Sequence, residues 1–232
     1  NANRLGKELW SNGDKGEPLK VYAGFNDLDE ARFIAERIQQ WLEDGGSPNE
    51  VAILYRSNAQ SRVLEEALLR LNIPYQIYGG QRFFERAEIK NALAYMRLME
   101  DRHSDPAFER VVNTPTRGIG DKTLEGIRQL ARANQTSLWQ AAKDGIAGGA
   151  FTARVNGAVG TFIALIDHLA DAVAPMQLDE LAEYVIDGSG LVEFHGQERG
   201  ERGLARKENL QELVSACRQF SGDLVFPLED GD

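Results

Sequence analysis

Two short polar stretches of this sequence carry residues that can hold a phosphate group. The first, YRSN at residues 55–58, follows the apolar run at residues 51–54, a pattern that predicts a strand covered on both faces. Ligands bind at the carboxyl ends of strands in open α/β sheets. Arg56 can bind a phosphate, Asn58 can reach a phosphate or a base, and a helix with free amides begins near Ala59. A helix cap with solvated arginines explains the same residues equally well.

The second stretch is Gly118-Ile119-Gly120, which lies between two predicted helices, the later of which begins at or just after Asp121. Glycines allow the backbone to approach a phosphate closely, and the first turn of a helix points free N–H groups outward. The hydroxyl of Thr123, in that first turn, can add another phosphate contact. The stretch resembles a helix-hairpin-helix loop, which grips the DNA backbone without reading sequence. The alternative is a tight turn between helices with Asp121 as the N-cap.

The sequence contains no loop of the kind that holds ATP. Lys122-Thr123 fails the test of spacing, because that motif needs two glycines five positions apart followed at once by Lys and Ser or Thr, and here Asp121 intervenes. The three histidines are scattered without the spacing of metal ligands. We therefore predict no catalytic residue, no metal site and no bound ATP in this chain.

The composition is that of a globular protein with an acidic balance. The chain has 232 residues, enough for one large or two small domains, and its 26 basic and 36 acidic residues give a formal net charge of −10. Taken alone, this charge argues against nucleic-acid binding, because phosphate contacts need a positive surface. Several arginines nevertheless lie near the two polar stretches: Arg56, Arg62, Arg82, Arg86 and Arg117.

The cysteine content and the hydropathy pattern predict a cytoplasmic protein. Cys217, the single cysteine, lies on the apolar stripe of a predicted helix, where it is a small buried hydrophobe rather than a nucleophile. A chain with one cysteine forms no internal disulfide, which fits a reducing compartment. No apolar run approaches the roughly 20 residues of a membrane span, and no signal peptide is visible. Because the chain starts without Met and in mid-pattern, we expect it to be a piece of a longer protein.

Hydrophobic periodicity divides the chain into an α/β part and an all-α part. Strands predicted at residues 19–25, 51–54 and 73–78 alternate with helices at residues 27–43 and 59–71, which favours a parallel sheet with right-handed crossovers. The pattern after Gly79-Gly80 is helical. Helices are predicted at residues 88–99, from residue 104, and at residues 121–133, 137–144, 152–173, 178–187 and 203–220, with loops at residues 145–149 and 196–203.

Three segments of the chain resemble one family of motor proteins. They are YRSNAQSRVLEEAL at residues 55–68, PYQIYGGQRFFERAEIKNALAYMRL at residues 74–98 and VVNTPTRGIGDKTL at residues 111–124. They resemble the superfamily 1 DNA helicases of the UvrD/Rep/PcrA type. The resemblance covers most of the chain, weakens after about residue 142 and does not extend to the final VFPLEDGD.

The resemblance implies a C-terminal-half piece of an ATP-dependent 3′-to-5′ DNA helicase that acts in DNA repair. Residues 1–78 would be part of the second RecA-like motor domain, a parallel α/β domain. Residues 79–232 would be the inserted helical subdomain, incomplete at its C-terminal end, with Gly79 and Gly80 as the hinge. The parent would use ATP and Mg²⁺, whereas this chain, which lacks Walker A and Walker B motifs, is predicted to be inactive alone. DNA repair proteins are expected partners of the parent, and no membrane is.

The resemblance also implies which residues contact DNA. Single-stranded DNA would contact Arg56, Asn58 and Arg62. Duplex DNA ahead of the fork would contact Thr114, Arg117, Gly118, Ile119, Gly120 and Thr123. Two alternatives stay open on the residues alone. One is a separate DNA-binding module without a motor, and the other is a helical protein-interaction domain, which the net charge of −10 favours.

Overall fold

The computed structural model describes residues 16–78 and 80–223, and within these ranges the regular structure is entirely helical. It contains ten α-helices, which are α1 (Asp27–Glu43), α2 (Ser61–Arg70), α3 (Ala87–Glu100), α4 (Asp105–Val111), α5 (Asp121–Asn134), α6 (Leu138–Ala147), α7 (Ala153–Val173), α8 (Leu178–Gly188), α9 (Leu191–Gly196) and α10 (Glu201–Asp223). Short 3₁₀ turns lie at Pro48–Glu50, Asn58–Gln60 and Phe83–Glu85.

The predicted partial RecA-like α/β domain is wrong for the described residues, because residues 16–78 contain no β-strand. Residues 19–25, 51–54 and 73–78 are non-helical, as expected, but no backbone hydrogen bond joins any two of these segments. A strand exists only where a second backbone lies about 4.8 Å away to accept and donate its hydrogen bonds. Several apolar side chains of the predicted strands are exposed instead, including Leu19 at 99%, Leu54 at 93% and Tyr78 at 96%.

The predicted helices of the second part are confirmed with small shifts at their ends. Helix α6 extends to Ala147, into the predicted loop at residues 145–149. Helix α10 begins at Glu201, inside the other predicted loop. Helix α9 was not predicted, because its six residues are too few for a helical period to be visible.

The helices enclose two separate apolar clusters. The smaller cluster joins α1 to the end of α2 through Ala35, Ile38, Leu68 and Ile73. Helix α1 forms where the sequence predicts it, because the Asn26 side chain accepts a hydrogen bond from the Asp29 amide (2.8 Å) and acidic residues occupy its first turn.

The larger cluster is the core of the helical body, from residue 83 to helix α10. Its centre is aromatic: Phe108 packs edge-to-face on Trp139 and Phe162, with ring centroids 6.5 and 5.7 Å away. Helix α10 closes this core with Leu210 and Leu213, which are almost fully buried. The two clusters share no residue, and α10 contacts the first part of the chain through hydrogen bonds of Ser57 and Arg62.

The hinge at Gly79 and Gly80 stays a prediction, and Gly79 lies outside the described residues. A Cβ at Gly80 would find Ile77 at an ordinary 3.7 Å, so alanine fits there. In the full-length protein, we expect the Gly79→Ala, Gly80→Ala double variant to narrow the distribution of distances between fluorophores attached at the exposed positions Arg70 and Lys143, with Cys217→Ala as background. A distribution equal to that of the unsubstituted glycines would contradict the hinge.

Candidate nucleic-acid interface

The side chain of one asparagine holds the loop between α4 and α5 in its conformation. The Oδ1 atom of Asn113 accepts hydrogen bonds from the backbone amides of Arg117 (2.8 Å) and Ile119 (3.2 Å). The side chain of Ile119 is only 3% exposed and belongs to the main core. The Asn113 side chain therefore fixes the backbone of the loop, and the buried Ile119 side chain attaches the loop to the core.

The glycines on either side of Ile119 face solvent. Gly118 has a φ of +77°, which favours glycine, and Gly120 adopts the extended conformation of an N-cap. No heavy atom lies within 4 Å of a Cβ placed on either residue. The backbone here is consequently open to close approach by another molecule.

The N-terminus of α5 carries unpaired amides beside these glycines. The carbonyl of Gly120 accepts from the amides of Thr123 (2.9 Å) and Leu124 (3.1 Å), but Gly120 has no side chain to cap the helix. The amides of Asp121 and Lys122 have no acceptor in the described part of the chain. Exposed N–H groups at the positive end of a 14-residue helix form a site suited to an anion such as phosphate.

Arg117, which the sequence places among the DNA contacts, points into the protein. Its guanidinium donates to the carbonyls of Pro115 (3.1 Å) and Ser189 (3.1 Å) and to the hydroxyl of Tyr95 (2.6 Å). It also lies over the rings of Tyr95 and Phe162. In this position it holds the loop against the turn between α8 and α9.

Tyr95 completes this support. Burial raises its pKa to about 12, and the neighbouring Arg117 opposes the shift without cancelling it. The phenol therefore stays protonated at neutral pH and donates to the Thr114 carbonyl (2.7 Å). Thr114 is thus fixed through its backbone. Thr123 lies half-buried in the first turn of α5.

The other candidate loop, at residues 55–61, is held by a capping box. The side chain of Gln60 accepts from the amides of Arg56 and Ser57, both at 3.0 Å. The side chains of Arg56 and Asn58 are exposed, and Arg56 forms no ion pair within the described residues. These two side chains are accessible from solvent, and their contact with DNA stays a prediction.

Arg62 is placed differently, because its side chain is only 2% exposed and already has partners. It donates to Glu66 (2.9 Å) and, across to α10, to Glu212 (2.5 Å) and Gln219 (2.7 Å). Burial lowers the pKa of Arg62, but the two carboxylates outweigh burial and raise it overall. Burial raises the pKa of Glu212 in spite of Arg62. The Arg62 guanidinium is thus hydrogen-bonded within the protein and is not exposed at its surface.

Sequence reasoning missed the residues that support both loops. Asn113 had a local signal, since asparagine side chains commonly bond to nearby backbone in turns. The sequence shows Arg86 only as an arginine near the loops, and nothing local indicated its partner Asn209, because the two residues whose side chains meet at 2.8 Å are 123 positions apart. No helix in the described ranges is long and apolar enough to span a membrane, and these ranges contain no cluster of three or more His, Cys, Asp or Glu suited to a metal ion.

Comparison with known families identifies the class of protein to which this site belongs. A model of the UvrD-like helicase C-terminal domain matches residues 1–147. The chain belongs to this family, which confirms the resemblance in its sequence.

Individual relatives agree with the family. The chain is 56% identical over 221 residues to DNA helicase II of Escherichia coli (strain K12) and 54% identical over 220 residues to DNA helicase II of Haemophilus influenzae. It is 37% identical over 221 residues to the ATP-dependent DNA helicase PcrA of Bacillus subtilis (strain 168). Each alignment covers 95% of the chain but only 30–31% of the relative, so the chain spans about a third of the length of these proteins.

The burial of Arg62 generates a stability prediction. Arg62→Met leaves Glu212, which is 18% exposed, without its main partner, and we expect the free energy of unfolding in urea to fall by about 3 kcal/mol, the lower end of the range for a broken buried pair. Adding Glu212→Met should restore much of this loss, because the more buried of the two carboxylates that lose Arg62 is then removed, and the other, Glu66, is 32% exposed and can be solvated.

The control for this measurement is Arg56→Met, which removes the same side chain from an exposed site and should change stability by less than about 0.5 kcal/mol. Equal losses from the Arg56 and Arg62 variants, or a double variant whose loss is the sum of the single losses, would show that the buried pair does not stabilise the fold.

Proposed function

We propose that this chain is part of an ATP-dependent 3′-to-5′ DNA helicase, to which it supplies contacts with duplex and single-stranded DNA. Family membership and the printed names of the relatives support this assignment. The observation that carries the role of the chain itself is the open N-terminus of α5, with its free amides beside two solvent-facing glycines.

The contact with duplex DNA is made at Gly118, Ile119 and Gly120. The Ile119 anchor and the inward Arg117 keep the loop rigid, so that little ordering entropy is lost on binding. A phosphate would accept hydrogen bonds from the amides that begin α5, with the exposed Lys122 adding positive charge. Since none of these groups presents a pattern for base edges, binding is independent of sequence and weakens as salt rises.

The contact with single-stranded DNA is made by the exposed side chains of Arg56 and Asn58. An arginine and an amide on a loop held by a capping box suit a phosphate and a neighbouring base. Arg62, although predicted with them, supports this loop from within through its bonds to α10.

The full-length protein would bind ATP and Mg²⁺ through motifs that this sequence does not contain. It would act in DNA repair in the cytoplasm, with repair proteins as partners. A helical protein-interaction domain is the competing function, because the net charge of −10 disfavours a polyanion. A salt titration separates the two: phosphate contacts give an affinity that falls linearly on logarithmic axes as salt rises.

The single-strand contact predicts a loss of affinity without a loss of stability. In the full-length protein, Arg56→Ala and Asn58→Ala should each weaken binding to labelled oligothymidylate by on the order of 1 kcal/mol, or about fivefold. The melting temperature should barely change, because both side chains are exposed. Unchanged affinity with lowered stability would mean that these residues only cap the helix.

The duplex contact predicts opposite effects on stability and binding for one substitution. Gly120→Asp places a carboxylate at the N-cap of α5, in a conformation and a space that accept it. The new cap should hold or slightly raise the melting temperature. It should also occupy the free amides and repel phosphate, so that affinity for duplex DNA falls at least about tenfold, equivalent to about 1.4 kcal/mol, whatever the sequence.

The matched control is Gly157→Asp, which adds the same charge at an exposed glycine of α7 that also has open space around it. Duplex affinity of the Gly157 variant should stay near that of the unaltered protein. If Gly120→Asp folds well and binds duplex DNA with unaltered affinity, the loop is only a turn between helices.

A further inference from the structure

Arg86 is a buried arginine that connects the loop at residues 55–61 to the helical body. It is 8% exposed and lies immediately before α3. One nitrogen of its guanidinium, Nη1, donates to the Asn58 carbonyl (2.9 Å) and to Oδ1 of Asn209 in α10 (2.8 Å). Nη2 donates to the hydroxyl of Ser61 (2.7 Å), and Nε donates to the Gln81 carbonyl (3.3 Å). The guanidinium therefore connects Asn58 and Ser61 of the loop to Asn209 of α10.

Asn209 is the residue of α10 that accepts the hydrogen bond from Arg86. It is 3% exposed, and its amide nitrogen donates to the carboxylate of Glu88 (2.6 Å), which is itself 5% exposed. The preceding residue of α10, Glu208, accepts a hydrogen bond from the Ser57 hydroxyl (2.5 Å). Two successive residues of α10 thus hold the loop that carries Arg56 and Asn58.

Within the loop, the same network continues to the start of α2. The Ser61 hydroxyl, which accepts from Arg86, donates to Glu65 (2.7 Å), and this carboxylate also accepts from the Tyr75 hydroxyl (3.1 Å). The buried side chains of the network, those of Ser61, Glu65, Arg86, Glu88 and Asn209, are thereby all paired, as required for a polar cluster to fix one geometry. A lysine in place of Arg86 would lack the planar fork that reaches four acceptors at once.

We infer that Arg86 and Asn209 are positioning residues for the single-strand contact. They touch no DNA themselves, but they fix the Asn58 carbonyl and the Ser61 hydroxyl and so aim the side chains of Arg56 and Asn58. Because Asn209 belongs to the helical body, the aim of the loop depends on where that body sits. This inference rests on the proposed single-strand contact of Arg56 and Asn58.

The test removes the link to α10 without touching the loop. Asn209→Leu keeps the branched shape of the side chain with a larger volume, while Arg86 retains its bonds to Asn58 and Ser61. In the full-length protein, we expect affinity for labelled oligothymidylate, per folded molecule, to fall about fivefold, the equivalent of one lost hydrogen bond. Gln211→Leu, the same change on the exposed face of α10, should leave affinity unchanged.

A double-mutant cycle separates positioning from a purely structural role. In a protein that already carries Arg56→Ala and Asn58→Ala, Asn209→Leu should have almost no further effect, because the groups it aims are gone. A structural role moves the melting temperature but leaves affinity per folded molecule unaltered. Arg86→Lys gives a second variant with the same expected loss of affinity, for use if Asn209→Leu does not fold.

The outcomes distinguish this inference from the proposed function. If the loop variant weakens single-strand binding but Asn209→Leu and Arg86→Lys do not, or if the effects add fully, the positioning role is overturned and the DNA contact stands. If the variant with Arg56→Ala and Asn58→Ala binds single strands as well as the unaltered protein, the contact fails and the positioning role fails with it.

Discussion

Two buried guanidinium groups, those of Arg62 and Arg86, constrain how the first part of the chain meets the last helix. A charge removed from water must be paired, or it costs several kcal/mol. Each of the two arginines has a partner among the polar side chains of α10, more than 120 positions later in the chain. Any packing of α10 that withdrew Glu212 or Asn209 would leave a buried guanidinium with fewer acceptors, because only the partners outside α10 would remain. The polar side chains of α10 therefore restrict the position of this helix, as its apolar side chains do.

Both candidate DNA loops follow one physical scheme, in which arginines inside the protein support groups that face solvent. Arg117 supports the backbone of residues 113–120 from the protein interior, while Gly118 and Gly120 face solvent. Arg86 supports residues 57–61 in the same way. The arginines that a sequence count assigns to the surface are thus partly structural. The net charge of −10 is less decisive for the same reason, because the proposed duplex contact would rely on backbone amides that no charge count includes.

The sequence predicted the helices of the second part because apolar residues recur there at helical spacing over ten or more positions. It also located both loops, since glycines and a strand-like apolar run are local signals. It did not predict that residues 19–25, 51–54 and 73–78 form no sheet in the described ranges, because periodicity shows which side chains are apolar and not whether a second backbone lies alongside. Nor did it separate Arg117 from Arg56. The partners that turn Arg117 inward, Tyr95 and Ser189, are 22 and 72 positions away.

The apolar side chains exposed on the first part of the chain have a practical consequence for anyone who handles it in isolation. The apolar side chains that are more than 90% exposed include Leu19, Val21, Phe25, Leu54 and Tyr78. They lie on non-helical segments of the described ranges whose backbones are not hydrogen-bonded to one another. Such segments template pairing between copies, and they promote aggregation at high protein concentration. A solution of the chain alone would become turbid as it is concentrated, and binding curves would be interpretable only at dilutions where light scattering shows a monomer.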